Sequence, residues 1–420
     1  METPAPTPGT LHRRLGLWQV TLSGIGVILG AGVYALVAPA AARAGNALWL
    51  AFLLAGVAAA LTAYAYARLG VMQPKNSPEF QYTSLAFGPR VGFVAGWLML
   101  AADLLAAATV ALGFGGYLAH LAGTPVEANA LALLALVALV MALGIAESVA
   151  LAMVLTLVEA GGLLFIIAVG LPSWPGADYL EMPHGVAGVW SAASLIFFAY
   201  LGFDELGNLA EEMRQPERDL PRALFLAMSI TVAIYILVAL SAAGAVGWRA
   251  LQGSPAPLAL VAGAALGARA DAALSWVALG ATANTVLLLL VSASRSVYGM
   301  AAAGVLPAGL ARVAGRGTPL TAVVVVIGGA GVLVLAGDLA TVAALTDGAV
   351  LASFALVNLS LPWLAARGRA GSRGVRRALD VVVPGTGALF CAGLLAEAGA
   401  AAIGVAAALA ALGFFLAPRR

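Results

Sequence analysis

Apolar runs of about twenty residues alternate with short polar segments along the whole chain. Helical runs of this length cross the hydrocarbon core of a bilayer, whereas the strands of a membrane barrel are about ten residues long with alternating polarity. The pattern therefore predicts an all-α integral membrane protein with twelve transmembrane helices. The predicted spans are 16–42, 46–70, 87–121, 127–146, 148–171, 186–210, 221–247, 270–303, 319–336, 340–366, 379–396 and 398–417.

The first predicted span contains glycines that oppose helix formation. Gly24, Gly26, Gly30 and Gly32 lie within nine residues, and each weakens a helix by roughly 1 kcal/mol relative to alanine. Backbone groups released by an unwound segment cost several kcal/mol in hydrocarbon unless protein, water or a ligand pairs with them. The sequence therefore predicts a break in this span that borders a cavity. The alternative is an intact helix with a small-residue packing face.

A break at this position would expose backbone groups of opposite polarity. The second half-helix would begin near Ala31, Gly32 and Val33, whose free amides and positive dipole end suit an anion such as a carboxylate. Carbonyls released before the break, such as that of Ile28, suit a cation such as an ammonium group.

A second interrupted span follows about five spans later, at 197–208. It contains Gly202 and two adjacent acids, Asp204 and Glu205. Ionisable groups at membrane depth usually mark a pathway or a coupling site. Paired broken helices in corresponding halves indicate inverted repeats with a substrate site near the membrane midplane. We therefore expect a 5+5 inverted repeat with broken helices 1 and 6, followed by two peripheral C-terminal helices.

Composition and charge fix the class and the orientation. The 420-residue chain is 62% hydrophobic and 10% charged, which lies outside the range of soluble domains. Eighteen of its 21 basic residues fall on one side of the predicted spans, so the positive-inside rule places both termini in the cytoplasm. The expected regions are a tail at 1–15, repeats at 16–171 and 186–366, and helices 11 and 12 with a short tail at 379–420.

Other chemistry is poorly represented. A single cysteine, Cys391, excludes an intramolecular disulfide and a cysteine-based metal site. His12, His120 and His184 fall in predicted loops, so no Ser-His pair is available inside the membrane. Nothing resembles a phosphate-binding Walker loop. We expect no catalytic residues, no metal, no cofactor and no nucleic-acid partner, and the arginine-rich stretch 367–377 is interpreted as a topology signal.

Three motifs resemble the amino acid–polyamine–organocation permease superfamily, in its branch of amino acid permeases with the LeuT-like fold. They sit in register over about 300 residues. They are 26–34 in the first helix, 197–204 continuing to 210–216 and 221–223 around the sixth helix, and 294–301 running to 304–307 at the end of the eighth.

The resemblance implies a binding site made mostly of backbone. The amides of the second half-helix would bind the substrate carboxylate, the carbonyls of Ile28, Phe198 and Leu201 would bind its amino group, and aromatic side chains would line the pocket. The residues it assigns to the substrate site are Ile28, Gly30, Ala31, Gly32, Val33, Phe198, Tyr200, Leu201, Phe203 and Asp204.

One departure from the family pattern bears on ion coupling. Glu159 stands where several branches carry a lysine at the position of the sodium ion. A buried carboxylate can bind and release a proton near neutral pH, or it can help to hold a cation with Thr282, Asn284 or Thr285. The alternative is a protonated acid with a purely structural role. Asp204 is a second candidate for proton coupling.

The expected function is secondary transport of amino acids across a prokaryotic cytoplasmic membrane, coupled to protons or operating as an exchanger. Neutral amino acids are favoured, and the lipid bilayer is the only other partner expected. Cationic amino acids or polyamines are the alternative if Asp103, Asp204 or Glu205 faces the cavity. Sodium coupling and a non-transporting sensor remain further alternatives. Four further acids are expected to be solvated or interfacial: Glu147, Asp347, Asp380 and Glu397.

Overall fold

A computed structural model describes residues 15–73, 77–143, 148–302, 306–312 and 319–417. In these ranges the chain forms α-helices joined by short 3-10 turns, and the only extended pairing is a single bridge between Leu15 and Met213. The helices are α1 (Leu17–Ile28), α2 (Gly32–Ala44), α3 (Leu48–Met72), α4 (Pro78–Phe87), α5 (Pro89–Ala122), α6 (Val126–Leu143), α7 (Ser148–Gly170), α8 (Gly185–Ile196), α9 (Glu205–Asn208), α10 (Pro216–Gln252), α11 (Pro257–Leu266), α12 (Ala268–Ala302), α13 (Leu320–Ala336), α14 (Leu339–Ala366), α15 (Gly374–Glu397) and α16 (Ala400–Leu416).

Membrane-spanning character is evident from length and composition. Among the described residues, eight helical stretches are long and apolar enough to cross a membrane, and one of them holds α2 and α3 together. Shorter apolar helices include α1, α6, α13 and α16. The prediction of an all-helical, multi-pass membrane protein is therefore confirmed.

One helix was not predicted. The segment after α3 forms α4, which begins with Pro78 and carries Glu79 in its first turn. Proline at the first helical position costs no hydrogen bond, because that amide has no intrahelical partner. Helix α4 is too short to cross a membrane and packs against α5 and α14. It was not predicted because its residues are mixed in polarity and form no apolar run.

Close packing of long helices forms the core around the broken spans. Helix α5 packs against both α12 and α14, and α10 packs against α3. Alanine and glycine line many of these contacts. For example, a Cβ atom placed on Gly113 of α5 would lie 2.7 Å from the Cβ atom of Ala35 in α2. Small residues let neighbouring backbones approach where lipid supplies no hydrophobic driving force.

Of the four acids expected to be solvated or interfacial, two are buried, so the expectation was wrong for Asp347 and Asp380. Glu397 is exposed, and Glu147 lies outside the described residues. Asp380 of α15 is fully buried and accepts hydrogen bonds from Arg68 Nε and Nη2 of α3, both at 2.8 Å. The hydroxyl of Tyr64 also donates to Asp380, at 2.9 Å. Asp347 of α14 is likewise fully buried. Helix α15 is thus fixed to α3 by a buried, bidentate ion pair.

Candidate functional site

The first span is broken where its glycines predicted. Helix α1 ends at Ile28 and α2 begins at Gly32. The amide of Leu29 still donates to the carbonyl of Ile25 at 2.8 Å, which closes α1. Beyond it, the amide of Ala31 points to the hydroxyl of Thr285 on α12 at 3.4 Å. The break therefore leaves the first amides of α2 outside any α-helical ladder, as predicted.

The second span is broken in a different way. Helix α8 ends at Ile196, and a 3-10 turn covers Phe197–Tyr200. Leu201 is then extended, and Gly202 has φ 113°, a conformation that favours glycine. The Asp204 carboxylate accepts a hydrogen bond from the amide of Gly202 at 2.9 Å. The short helix α9 follows, so the chain changes direction between two helical pieces.

The two breaks pack directly against each other. A Cβ atom placed on Gly32 would lie 2.7 Å from the Cα atom of Ala199 and 3.2 Å from Phe198 Cδ1. A Cβ atom placed on Gly202 would lie 2.7 Å from Val27 Cγ1 and 3.0 Å from the Val27 carbonyl oxygen. Glycine is therefore required on both sides of this contact because the facing atoms include backbone.

Tyr235 of α10 joins the two breaks and was missed by the sequence analysis. Its hydroxyl lies 2.7 Å from the carbonyl oxygen of Ile28 and 3.1 Å from that of Ala199. The side chain is fully buried. A single proton is shared between the Ile28 carbonyl, which is expected to face an ammonium group, and the Ala199 carbonyl, which was not among the predicted ones. The one available signal was that Tyr235 is the only tyrosine in the predicted span 221–247.

Glu159 lies inside the protein on α7. Only 1% of its surface is exposed, while Leu157, two residues earlier, is 69% exposed on the outer face of the same helix. Among the described residues, Glu159 Oε1 has no hydrogen-bond partner. The hydroxyl of Tyr34 on α2 donates to the backbone carbonyl of Glu159 at 2.8 Å. This contact needs Gly162, because a Cβ atom there would lie 2.7 Å from the Tyr34 hydroxyl.

The three α12 residues proposed as ion ligands occupy different surroundings. Thr285 lies at the first break, beside Gly30 and the Ala31 amide. Thr282 is fully buried, and its hydroxyl donates to the carbonyls of Ala278 and Leu279 on its own helix. Asn284 is buried as well, with 5% of its surface exposed. Thr285 is thus the one in direct contact with the break.

The predicted aromatic residues face different ways. Phe198 lies beside Gly32 at the contact between the breaks. The hydroxyl of Tyr200 donates to the carbonyl of Phe52 on α3 at 2.9 Å. The ring of Phe203 packs 5.2 Å from that of Phe354, and both rings lie 5.6 Å from that of Tyr66. Of the three aromatic residues, Phe198 is thus the one that lies beside Gly32.

Acidic residues gather beside the second break. Asp103 of α5 is partly buried and lies within electrostatic range of Asp204, Glu205 and Glu79. Asp204 is 7% exposed. The carboxylates predicted to favour a cationic substrate are therefore within electrostatic range of one another, and Asp204 also holds the turn at Gly202 through its hydrogen bond.

Contacts hold the broken spans together at both ends. At one end, the bridge between Leu15 and Met213 is reinforced by the amide of Arg214, which donates to the Leu15 carbonyl at 3.0 Å. At the other end, Asn46 Nδ2 donates to Glu181 at 3.0 Å, and Glu181 pairs with Arg249 at 3.0 Å. The segments flanking the breaks are thus tied on both sides of the bundle.

Comparison with known proteins identifies relatives that are membrane transporters. Residues 15–417 match the family described as amino acid permease. The chain is similar to an uncharacterized transporter of Mycobacterium tuberculosis (strain H37Rv), with 33% identity over 371 residues, covering 85% of this chain and 81% of the relative.

Two relatives from Bacillus subtilis (strain 168) have named substrates. The branched-chain amino acid permease BcaP is 27% identical over 421 residues, covering 93% of this chain and 89% of the relative. The methylthioribose transporter is 29% identical over 383 residues, covering 84% of this chain and 81% of the relative. These relatives confirm a transporter rather than an enzyme. The match across the described spans and both breaks shows that the chain belongs to the amino acid permease family.

Proposed function

We propose that this permease moves a neutral amino acid across a prokaryotic cytoplasmic membrane by alternating access, driven by protons or by exchange. Amino acid transport follows from family membership. The remaining parts of the proposal concern the span count, the substrate site and the coupling ion, and each rests on particular contacts.

The proposed topology has twelve spans in a 5+5 inverted repeat. Two spans are composite: α1 with α2, and α8 with the turn and α9. The other ten are α3, α5, α6, α7, α10, α12, α13, α14, α15 and α16. Helices α4 and α11 then lie outside the membrane core. The repeats at 16–171 and 186–366 each begin with a broken span, and the arginine asymmetry supports cytoplasmic termini.

The proposed substrate site lies where the two breaks meet. The amides of Ala31, Gly32 and Val33 would take the carboxylate, since a helix N-terminus favours an anion. The Ile28 carbonyl and its counterpart at Ala199 would take the ammonium group, in place of the Tyr235 hydroxyl that now bonds to both. Small residues at the contact suit a substrate without a charged side chain.

Glu159 is the proposed proton-coupling residue, and its environment is the single observation that carries this part of the proposal. The carboxyl group is buried, and its Oε1 has no hydrogen-bond partner among the described residues. Through its backbone it is bonded to Tyr34 of α2, the half-helix that would bind the carboxylate. A buried acid without a fixed counter-charge favours its neutral form and releases the proton when water reaches it.

A cationic substrate is the second candidate, because Asp103, Asp204 and Glu205 lie close together beside the second break. A side-chain cation reaching this cluster would be attracted to it. Competition distinguishes the two: leucine or alanine would compete for a neutral site, whereas arginine, lysine or putrescine would compete for an acidic one.

Uptake into proteoliposomes tests the proposal. A panel of radiolabelled neutral and cationic amino acids would be supplied with an inward proton gradient, with no gradient, and with sodium added. Concentrative uptake of neutral amino acids that needs the proton gradient is the expected result. Dependence on sodium alone, or uptake restricted to cationic compounds, would overturn the coupling or the substrate class.

A further inference from the structure

Glu79 is a buried acid outside the proposed substrate and coupling sites. It lies in the first turn of α4, which is not one of the apolar spans. Only 7% of its surface is exposed. Its Oε1 atom accepts a hydrogen bond from the hydroxyl of Tyr66 on α3 at 2.6 Å. The side chain thus ties a short peripheral helix to a membrane helix.

The start of α4 lies against the second break. A Cβ atom placed on Gly207 of α9 would lie 3.2 Å from Pro78 Cγ and 3.3 Å from the hydroxyl oxygen of Tyr82. Tyr82 is fully buried, and among the described residues its hydroxyl has no hydrogen-bond partner. The Tyr82 hydroxyl and Pro78 of α4 therefore both lie against Gly207 of α9.

The elements around Glu79 carry acidic, tyrosine and apolar side chains. The second break brings Asp204 and Glu205 within electrostatic range, and α5 brings Asp103. Helix α3 brings Tyr66 and α4 itself brings Tyr82, while α14 contributes the uncharged ring of Phe354 against Tyr66. Several carboxylates this close together cannot all be ionised at modest cost.

Burial and the neighbouring acids act on Glu79 in the same direction. Burial, then the charges of Asp204 and Glu205, raise the pKa of Glu79 from 4.5 to about 8, although the Tyr66 hydrogen bond opposes the shift. An acid in this position holds its proton at neutral pH while packed and loses it when exposed to water.

We propose that Glu79 is a proton-binding site whose occupancy holds α4 against the second break, in addition to the coupling residue proposed at Glu159. With the proton bound, the neutral carboxyl group packs beside Asp204 and Tyr66. When the proton leaves, the carboxylate is repelled by the neighbouring acids and α4 separates from α9. Its effect on transport rests on the proposed function, whereas proton binding itself does not.

The pH window follows from linkage. In the separated state Glu79 would titrate near its ordinary value of 4.5, and in the packed state near 8. The equilibrium constant for the packed state over the separated state is therefore greatest below pH 4.5. Between pH 4.5 and about 8 it falls by up to about tenfold per pH unit. Above that pH the equilibrium no longer changes through this group.

Hydrogen–deuterium exchange of the α4 peptide in the full-length protein tests the site directly. Wild type and Glu79→Gln would be compared at each pH, so that the intrinsic pH dependence of exchange cancels in their ratio. The ratio of wild-type to variant exchange is expected to rise at least tenfold between pH 5.5 and 8 and then level off. A ratio that stays constant over this range would overturn the proposal.

Two further variants sharpen the measurement. Glu217→Gln removes an exposed acid from the first turn of α10 and should exchange like wild type. Tyr66→Phe removes the hydrogen bond that favours the carboxylate, so the levelling-off should move to higher pH. If the exchange of the α4 peptide in Tyr66→Phe has the same pH dependence as in wild type, Glu79 is not the titrating group. This comparison remains possible even if the Glu79→Gln protein cannot be expressed.

Transport supplies the link to function. Uptake by wild type should fall between neutral and alkaline pH, and Glu79→Gln should flatten that part of the profile. If amino acid uptake proves to be absent, the proposed function fails while the exchange ratio still tests the proton site. If uptake is present and the ratio is constant, the proton site alone fails.

Discussion

The hydroxyl group of Tyr235 is the one side-chain group that bonds to both broken spans among the described residues. Replacing Tyr235 with phenylalanine leaves the carbonyls of Ile28 and Ala199 without this donor. A buried polar group deprived of its partner costs about 1–3 kcal/mol. We expect a lower melting temperature for the substrate-free protein and a changed KM for uptake, because the same carbonyls would bind the ammonium group.

A matched control is available in Tyr117, whose buried hydroxyl donates to the carbonyl of Tyr34 at 3.2 Å. Tyr117→Phe loses a comparable hydrogen bond but does not touch the second break. It should lower the melting temperature with little change in KM. If the two variants have the same KM, Tyr235 has no special relation to the substrate site.

At the scale of residues, the sequence predicted the groups that depend on their own neighbours in the chain. The amides of 31–33 follow from four nearby glycines, and the buried Glu159 follows from its apolar surroundings. Tyr235 and Asp380 could not be predicted in the same way. Their partners lie 207 and 312 residues away in sequence, so their roles depend on how the helices pack.

At the scale of elements, the contact between the two breaks is the most sensitive feature. In Gly32→Ala the added methyl group would overlap the backbone of Ala199. Backbone cannot rotate away as a flexible side chain can, so the breaks would separate by a few tenths of an ångström or more. We expect uptake to fall at least tenfold while the protein still inserts and folds, as measured by initial rates per folded molecule.

Gly328→Ala on α13 is the matched control, since nothing lies within 4 Å of the added Cβ atom. Alanine also favours a helix by about 1 kcal/mol over glycine, so this variant should be at least as stable as wild type. Normal uptake by Gly32→Ala would show that the contact is not needed for transport.

Glycine content and apolar length predicted both breaks and the approximate helix bounds. The same criteria missed α4, because its ten residues are mixed in polarity and follow Gln73 and a stretch outside the described residues. They placed the end of the seventh span at Gly247, where the chain is kinked (φ 73°, ψ 158°), but they did not predict the further helical segment that follows it up to Gln252. Apolar runs identify helices that are buried in lipid or in the protein core. They identify poorly the helices that lie at the edge of the membrane core, such as α4.

At the scale of the whole molecule, the Arg68–Asp380 pair ties α15 to the rest of the bundle. Removing one member of a buried ion pair costs about 3–5 kcal/mol, whereas replacing both by apolar residues is often nearly neutral. Asp380→Leu and Arg68→Leu should therefore each lower the melting temperature strongly, and the double variant Arg68→Leu/Asp380→Leu should recover most of the loss. Transport per folded molecule should be unchanged in all three variants.

Thermal unfolding of the two single variants and the double variant completes the cycle. If each single variant is no less stable than the double variant, the pair contributes little and α15 is held by packing alone. Loss of transport in a folded single variant would instead give α15 a part in the transport cycle.

Apolar length and arginine distribution predicted a multi-pass helical protein, and the order of the motifs predicted its family. These features could not predict how the long helices pack, because a single sequence carries no direct information on which helices are in contact. The central claim, that Glu159 couples protons to transport, depends on that packing, since its burial is set by neighbours from other helices.

The most direct test compares wild type with Glu159→Gln in proteoliposomes under an inward proton gradient. Glutamine keeps the shape and the contact of the backbone carbonyl with Tyr34 but cannot carry the proton. We expect wild type to accumulate substrate only with the gradient, and Glu159→Gln to exchange substrate without accumulating it. Gradient-driven accumulation by Glu159→Gln at the wild-type rate would show that Glu159 does not couple protons to transport.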